Sequence, residues 1–292
     1  MAKPRLIILV RHGESQGNRD KSVNRYTPNH KVPLTERGHC QARAAGDDLR
    51  SILKPDDSVC FYTSPYMRAR QTMNGIIDGI KDTGVQYKIY EEPRMREQDF
   101  GNFQGTAQEM EDMWNERAEY GHFFYRIPHG ESAADVYDRC ASFNETLFRQ
   151  FNKANFPSVL VLVTHGIWAR VFLTKWFRWS VEYFEDLQNV PHCKLIRMER
   201  QDEHNQKYKL IDTLARWSDM KRPEWPATGG EAMLDEMSEN EESTPELTSL
   251  KLKRRFDRLK CHKKPSHIDA ELSDSGSIDG VLHEKLQPAH FN

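Results

Sequence analysis

Two guanidinium groups and two imidazoles stand where apolar runs of this chain stop. "LIILV" (6–10) ends directly in Arg11, His12 and Gly13. "SVCFYT" (58–63) runs into "SPYMRARQT", where Arg68 opens a helical stretch, and "SVLVLVT" (158–164) ends in His165 and Gly166. A buried strand gains nothing from such residues at its tip unless something there needs positive charge or a titratable nitrogen. One of them alone is an ordinary surface or satisfied side chain; three strand ends that agree carry an argument. In an open α/β sheet, ligands bind outside the carboxyl ends of the strands, and helices beginning there add backbone N–H donors that favour anions. Two guanidiniums and two imidazoles brought together repel unless an anion lies between them. A phosphoryl group, with about two negative charges and several acceptor oxygens, suits that place, because arginine grips it with a bidentate fork. Gly13 lets the backbone come close, and Asn18 offers a neutral amide donor from the following loop.

The elements that must deliver these groups are readable from periodicity. Segments 5–10, 58–63, 85–90 and 158–164 are short, rich in β-branched or aromatic residues and bounded by turn formers, so strands are expected. Segments 193–199 and 206–212 suit a late hairpin or sheet edge. Between them, residues 38–53 put Ala42, Ala45, Leu49, Ile52 and Leu53 on one helical face, and 133–151 do the same with Ala133, Val136, Tyr137, Cys140, Phe143, Leu147 and Phe151. Ser132 and Asp135 form a capping box at the start of the second. A third helix is expected from about Ile167, carrying Val171, Phe172 and Trp176. Strands alternating with helices predict an α/β fold with a mostly parallel sheet covered on both faces. There is no internal repeat.

The whole chain bounds the function further. At 292 residues with a formal net charge of −2, it has no global charge excess that would suggest nucleic acid or an anionic membrane as partner. Its five cysteines are far apart, with no C-x-x-C pair, which fits reduced thiols in a cytosolic or nuclear protein. The twelve histidines show no metal-binding spacing, and neither a metal nor a cofactor is expected. The apolar run 6–10 is too short for a signal peptide, and nothing approaches the ~20 residues of a membrane span. After about residue 222 the composition changes. Residues 231–246 hold seven acidic side chains and no basic one, and "KLKRRFDRLKCHKK" (251–264) holds eight basic ones. We expect a folded domain over 1–222 and a charged, largely disordered tail over 223–292. The basic stretch is compatible with weak contact to an anionic surface or protein, or with nuclear import. A solvated arm pairing loosely with the acidic run is the preferred reading, since charge blocks are commonly just that.

In order along the chain, "LVRHGES" with Asn18, "VPLTERG" (32–38), "SPYMRARQT" (64–72), "REQDFGNFQG" (96–105) and "VTHG" (163–166) resemble the motifs of the histidine phosphatase superfamily, in its phosphoglycerate-mutase-like branch. The resemblance covers roughly residues 4–200. "YGHFFYRIPHGESAADVYDRC" (120–140) and "REQDFGNFQ" further resemble the fungal and plant members of that branch, the broad-range acid phosphatase type among them. The resemblance implies a three-layer α/β/α sandwich and a metal-independent phosphomonoesterase acting on a small phosphorylated substrate. It implies His12 as the nucleophile, transiently phosphorylated; Arg11, Arg68 and a protonated His165 as holders of the phosphoryl oxygens, with Asn18 assisting; and Glu97 as proton donor. A carboxyl acting as acid leads us to expect an optimum on the acidic side.

Other residues read more plainly. Thr35 is expected to cap the helix that follows it. Glu131 is placed either to reach the pocket or merely to favour a helix dipole. Trp114, Tyr120, Phe123, Phe124 and Tyr125 lie in the segment that would cover the pocket, where packing is the commoner role. A mutase is the first rival, but mutases of this family carry paired arginines after the Glu motif, and residues 105–128 hold only Arg117 and Arg126. A fructose-2,6-bisphosphatase has no support outside the shared motifs. A catalytically silent phosphoprotein-binding scaffold would be expected to have lost the nucleophile or the acid, and neither is missing.

Overall fold

The run Leu6–Val10 is apolar on both sides because both sides are covered. In the computed structural model, which describes residues 3–20, 22–101, 107–201 and 207–219, β1 (Leu6–Arg11) lies inside a six-stranded sheet. The other strands are β2 (Ser58–Thr63), β3 (Gln86–Glu91), β4 (Val159–Thr164), β5 (Leu195–Arg200) and β6 (Tyr208–Leu210). Their spatial order is β3-β2-β4-β1-β5-β6. The first four pair in parallel, as the alternation of elements implies; the late hairpin β5–β6 joins β1 antiparallel, so the sheet is mixed.

Eight α-helices are described: α1 (Gln16–Arg19), α2 (Val23–Tyr26), α3 (Glu36–Ile52), α4 (Met67–Ile80), α5 (Ala107–Tyr120), α6 (Ala133–Phe151), α7 (Gly166–Phe177) and α8 (Val181–Asp186). Alternate residues of the strands point to opposite faces. Leu6, Ile8 and Val10 pack with Ala42, Leu49 and Ile76 of α3 and α4. Ile7 and Leu9 pack with Val136, Phe143, Trp168 and Phe172 of α6 and α7. The result is the expected three-layer α/β/α sandwich. Helix α3 can lie directly on α4 because Gly46 has no side chain: a Cβ there would stand 2.6 Å from the Ile76 carbonyl oxygen. Helix α6 starts where the capping box places it, with Ser132 Oγ accepting from Asp135 N and Asp135 Oδ2 accepting from Ser132 N.

Register is what positions the site. Arg11 lies opposite Thr164, and Thr63 and Val10 both lie opposite Val163. The chain therefore leaves three neighbouring strands at one level, carrying His12, Ser64 and His165 away from the sheet together. No helix among the described residues is long and apolar enough to cross a membrane. The tail over 223–292 and its basic stretch lie outside the described residues.

Candidate active site

His12 sits at this level, 3% exposed. Its Nδ1 lies 2.7 Å from the carbonyl oxygen of Gly13, and Arg68 Nε approaches its Nε2 to 3.1 Å. A carbonyl can only accept and a guanidinium can only donate. The proton is therefore on Nδ1, and Nε2 presents a lone pair. Burial, then the nearby guanidiniums of Arg68 and Arg11, hold the imidazole well below its ordinary range, so it stays neutral. Gly13 fixes the geometry. Its N–H donates to Thr72 Oγ1 (3.0 Å), and a Cβ on it would stand 2.6 Å from the Gly38 carbonyl oxygen.

Arg68, on the first turn of α4, is itself buried at 5% exposure and anchored by Nη1 to the backbone and side-chain oxygens of Asn29 at 2.7 and 3.0 Å. Its guanidinium stacks 5.0 Å from the ring centre of Tyr66. Arg11 donates from Nη1 to the Val190 carbonyl at 2.9 Å, and its buried Nε has no partner. That Nε lies 3.5 Å from where a Cβ of Gly166 would be.

His165 is fully buried at the N-cap of α7, with its ring 5.1 Å from that of His12. Its Nε2 meets Ser64 Oγ at 2.8 Å, while Tyr66 N donates to the same oxygen. Among the described residues no other acceptor stands by the Ser64 hydroxyl proton, so we assign that proton to His165 Nε2 and the imidazole's own proton to Nδ1. That Nδ1 is buried and unpartnered. Burial and then Arg68 push the pKa of His165 well below the usual histidine range, against the protonated imidazole expected from the sequence.

Two buried donors without acceptors, Arg11 Nε and His165 Nδ1, thus flank Gly166; Arg117 Nε and Arg170 Nε are likewise buried and unpartnered. Each such group costs ~1–3 kcal/mol of desolvation unless something accepts from it. An oxyanion would.

Glu97 follows the turn Pro93–Met95; burial lowers the pKa values of Arg11, Arg68, Arg117 and Arg170, and the Glu97 carboxylate acts against that on each of them. Its Oε1 accepts from Gln98 N at 3.0 Å. Asn18 stands differently. Its Oδ1 accepts from Ser15 N and Oγ at 3.0 and 2.8 Å, closing the first turn of α1, and its side chain is exposed. No described contact joins it to Arg11, His12, Arg68, Glu97 or His165. Thr35 caps α3, accepting from Gly38 N at 3.0 Å. Glu131 takes the structural option: it pairs with Arg96 at 2.6 Å and Arg139 at 2.9 Å.

Of the covering aromatics, Phe123 packs against Phe184, while Tyr120 and Phe124 are exposed and Trp114 lies under Arg117. Arg126 pairs with Asp135 and the Gly130 carbonyl, so it makes no clamp with Arg117. Sequence reasoning did not find Ser64, Thr72 or His192. His192 Nδ1 lies 2.6 Å from the His12 carbonyl, across 180 positions of chain, and no local pattern marks it. Ser64 was within reach, since it opens the segment that carries Arg68. Among the described residues no group of three or more His, Cys, Asp or Glu is placed to hold a metal.

A family model described as the histidine phosphatase superfamily (branch 1) matches residues 7–213. The chain belongs to that family. It is 40% identical to a broad-range acid phosphatase of Saccharomyces cerevisiae, with 75% of this chain and 92% of the relative covered. It is 46% identical to a phosphoglycerate mutase-like protein of Arabidopsis thaliana, with 67% and 74% covered. Among solved structures, a mycobacterial glucosyl-3-phosphoglycerate phosphatase is similar in fold, with a TM-score of 0.54 at 23% identity over 72% of this chain and 99% of that one. Histidine phosphatases work through a phosphohistidine, and this branch comprises phosphatases and mutases.

Proposed function

We propose that the protein is a metal-independent phosphomonoesterase of the broad-range acid phosphatase type, with phosphohistidine formed on His12. The observation that carries this is the neutral His12 Nε2, aimed by the Gly13 carbonyl and faced by Arg68, beside two buried donors that lack acceptors.

The phosphate ester enters with its oxygens on Arg68, Arg11 Nε and His165 Nδ1; Arg68 Nε–H passes from His12 Nε2 to a phosphoryl oxygen and frees the lone pair, and Asn18 assists from α1 through its amide N–H. The Nε2 lone pair of His12 attacks phosphorus. As that P–N bond forms, the bond to the ester oxygen breaks, and Glu97 gives its proton to the departing alkoxide. The Nδ1–H bond to the Gly13 carbonyl steadies the positive charge that grows on the ring. Glu97, now ionised, takes a proton from water, whose oxygen attacks phosphorus as the P–N bond breaks; the electron pair returns to His12 Nε2 and phosphate leaves. The anchored guanidiniums and N–H groups stabilise charge on the equatorial oxygens, which is where phosphoryl transfer gains most. The arginines supply the positive charge that other phosphatases draw from metals.

The reading predicts release of inorganic phosphate from many small phosphomonoesters, undiminished by chelator. Assaying 3-phosphoglycerate for isomerisation alongside phosphate release separates hydrolase from mutase; a product that keeps its phosphate would overturn the reading. We place the enzyme in the cytosol or nucleus, a reading supported by four free, well-separated thiols among the described residues. The weak contact through 251–264 belongs to the same proposal.

A further inference from the structure

The segment that presents Glu97 has no regular secondary structure of its own beyond the turn Pro93–Met95. A carboxyl on such a segment is useful as an acid only if the backbone beneath it is held. Arg139, on the second turn of α6, does the holding. Its Nη1 donates to the carbonyls of Arg94 (2.7 Å) and Arg96 (2.8 Å), and its Nη2 donates to the carbonyl of Glu97 itself (3.0 Å). The remaining Nη2 proton and Nε go to the two carboxylate oxygens of Glu131, at 2.9 and 3.1 Å. A guanidinium has five N–H donors, and every one of these is spent within the protein. Arg139 therefore has nothing left to offer a substrate, although it lies beside the site.

Glu131 completes the clamp from the other side. It accepts from Arg96 Nη2 and Asp99 N, and its carbonyl accepts from Gln98 Nε2. Thr164 Oγ1, one residue before His165, donates to the Met95 carbonyl, which ties the same segment to the end of β4. Residues 94–99 are thus fixed relative to the strand ends that carry the phosphoryl pocket.

We infer that Arg139, braced by Glu131, is a positioning residue that sets the Glu97 carboxyl against the leaving oxygen of the substrate; this rests on the reading of Glu97 as proton donor. Lysine cannot replace it. A lysine has three donors on a point charge and cannot span three carbonyls and a bidentate carboxylate. A shift of ~1 Å in a reacting group costs ~100-fold in rate, and only the step in which Glu97 acts would feel it.

The leaving group provides the test. A nitrophenolate departs without a proton, whereas an alkoxide such as that of glycerol phosphate needs one. The readout is kcat/KM on both substrates, because that ratio covers only the steps through phosphoryl transfer to His12 and not the common hydrolysis of the phosphoenzyme. Arg139→Lys and Glu131→Gln should each lose ~100-fold on the alkyl ester and less than ~10-fold on the aryl ester, following Glu97→Gln in pattern. Circular dichroism and a thermal melt establish that each variant is folded at the assay temperature; if Arg139→Lys is not, Glu131→Gln carries the comparison alone. Equal losses on both esters, with Glu97→Gln still discriminating, would make Arg139 ordinary structural support and overturn the inference. If Glu97→Gln itself fails to discriminate, the assignment of Glu97 as acid is wrong and the inference falls with it.

Discussion

Replacing Gly13 by alanine adds one methyl group at the most crowded point of the site. The new Cβ would stand 2.6 Å from the Gly38 carbonyl oxygen, about 0.8 Å short of the 3.4 Å at which ordinary contact begins. Gly38 has nowhere to go. Its N–H is held by Thr35 Oγ1 at 3.0 Å, and the Glu14 carbonyl oxygen fills the place a Cβ on it would take. The displacement therefore falls on Gly13, whose carbonyl orients His12 and whose N–H is held by Thr72. A nucleophile moved by ~1 Å loses ~100-fold in rate, and overpacking costs ~1–3 kcal/mol of stability. Gly46→Ala is the matched control. It meets the Ile76 carbonyl at the same 2.6 Å, but in the α3–α4 contact and against no site residue. Steady-state kinetics on an aryl phosphate, at a temperature where both variants are folded, should show Gly13→Ala down ~100-fold in kcat/KM and Gly46→Ala within ~3-fold of the parent. Equal kinetics for the two variants would refute the claim that Gly13 positions His12.

Ser64→Ala removes the group that sets the His165 tautomer and should cost about tenfold in kcat/KM, or ~1.4 kcal/mol, mostly through substrate binding; unchanged KM and kcat would show that Ser64 does not orient the ring. Because burial and the two arginines lower the pKa of His12, the neutral nucleophile persists into acid, so the acid limb of the kcat/KM profile should fall below pH 6.5. A limb at or above 6.5 would contradict that electrostatic picture. Burial works against the Asp57 carboxylate, but bonds from Arg5, Ser158 and the backbone of Lys54 outweigh it and hold its pKa at about 2, against 3.8 for the free group. A depressed carboxyl pKa stabilises the fold above the unfolded value and loses that contribution as pH falls through the folded one. The gain is about 2 kcal/mol, lost between about pH 4 and pH 2. Asp57→Asn should flatten that part of a denaturation-versus-pH curve, and an unaltered curve would reject the linkage.

The strands that build the site were legible because they are buried on both faces and read as unbroken apolar runs: 58–63 coincides with β2, and 158–164 with β4 to within one residue. Helix α6 was legible because its capping box and its apolar stripe agree. Helix α5 was not. Its apolar residues Ala107, Met110, Met113, Trp114 and Ala118 are spaced for one helical face but sit among charged ones, including Arg117, which is itself buried with its guanidinium over Trp114. The antiparallel entry of β5 beside β1 depends on where the chain returns after α8, which no local pattern states. Within the site, Arg11, His12, Arg68 and His165 were visible as charge at strand ends. Of their supports, Ser64 lies at such a strand end too, but its pairing with His165 and that of His12 with His192 were hidden, because they meet only across 101 and 180 positions of chain. The burial and the neighbouring arginines that lower the His165 pKa are likewise properties of the fold.

The central claim is that phosphorus passes through His12. Mixing the protein with a phosphorus-labelled aryl phosphate and quenching in denaturant within one turnover tests it directly. The account predicts label bound to the chain, stable to base and labile to acid as a phosphorylated imidazole is, located at His12 by peptide mapping and absent in His12→Ala. Phosphate release with no label on the chain at any quench time, or label retained in His12→Ala, would contradict it.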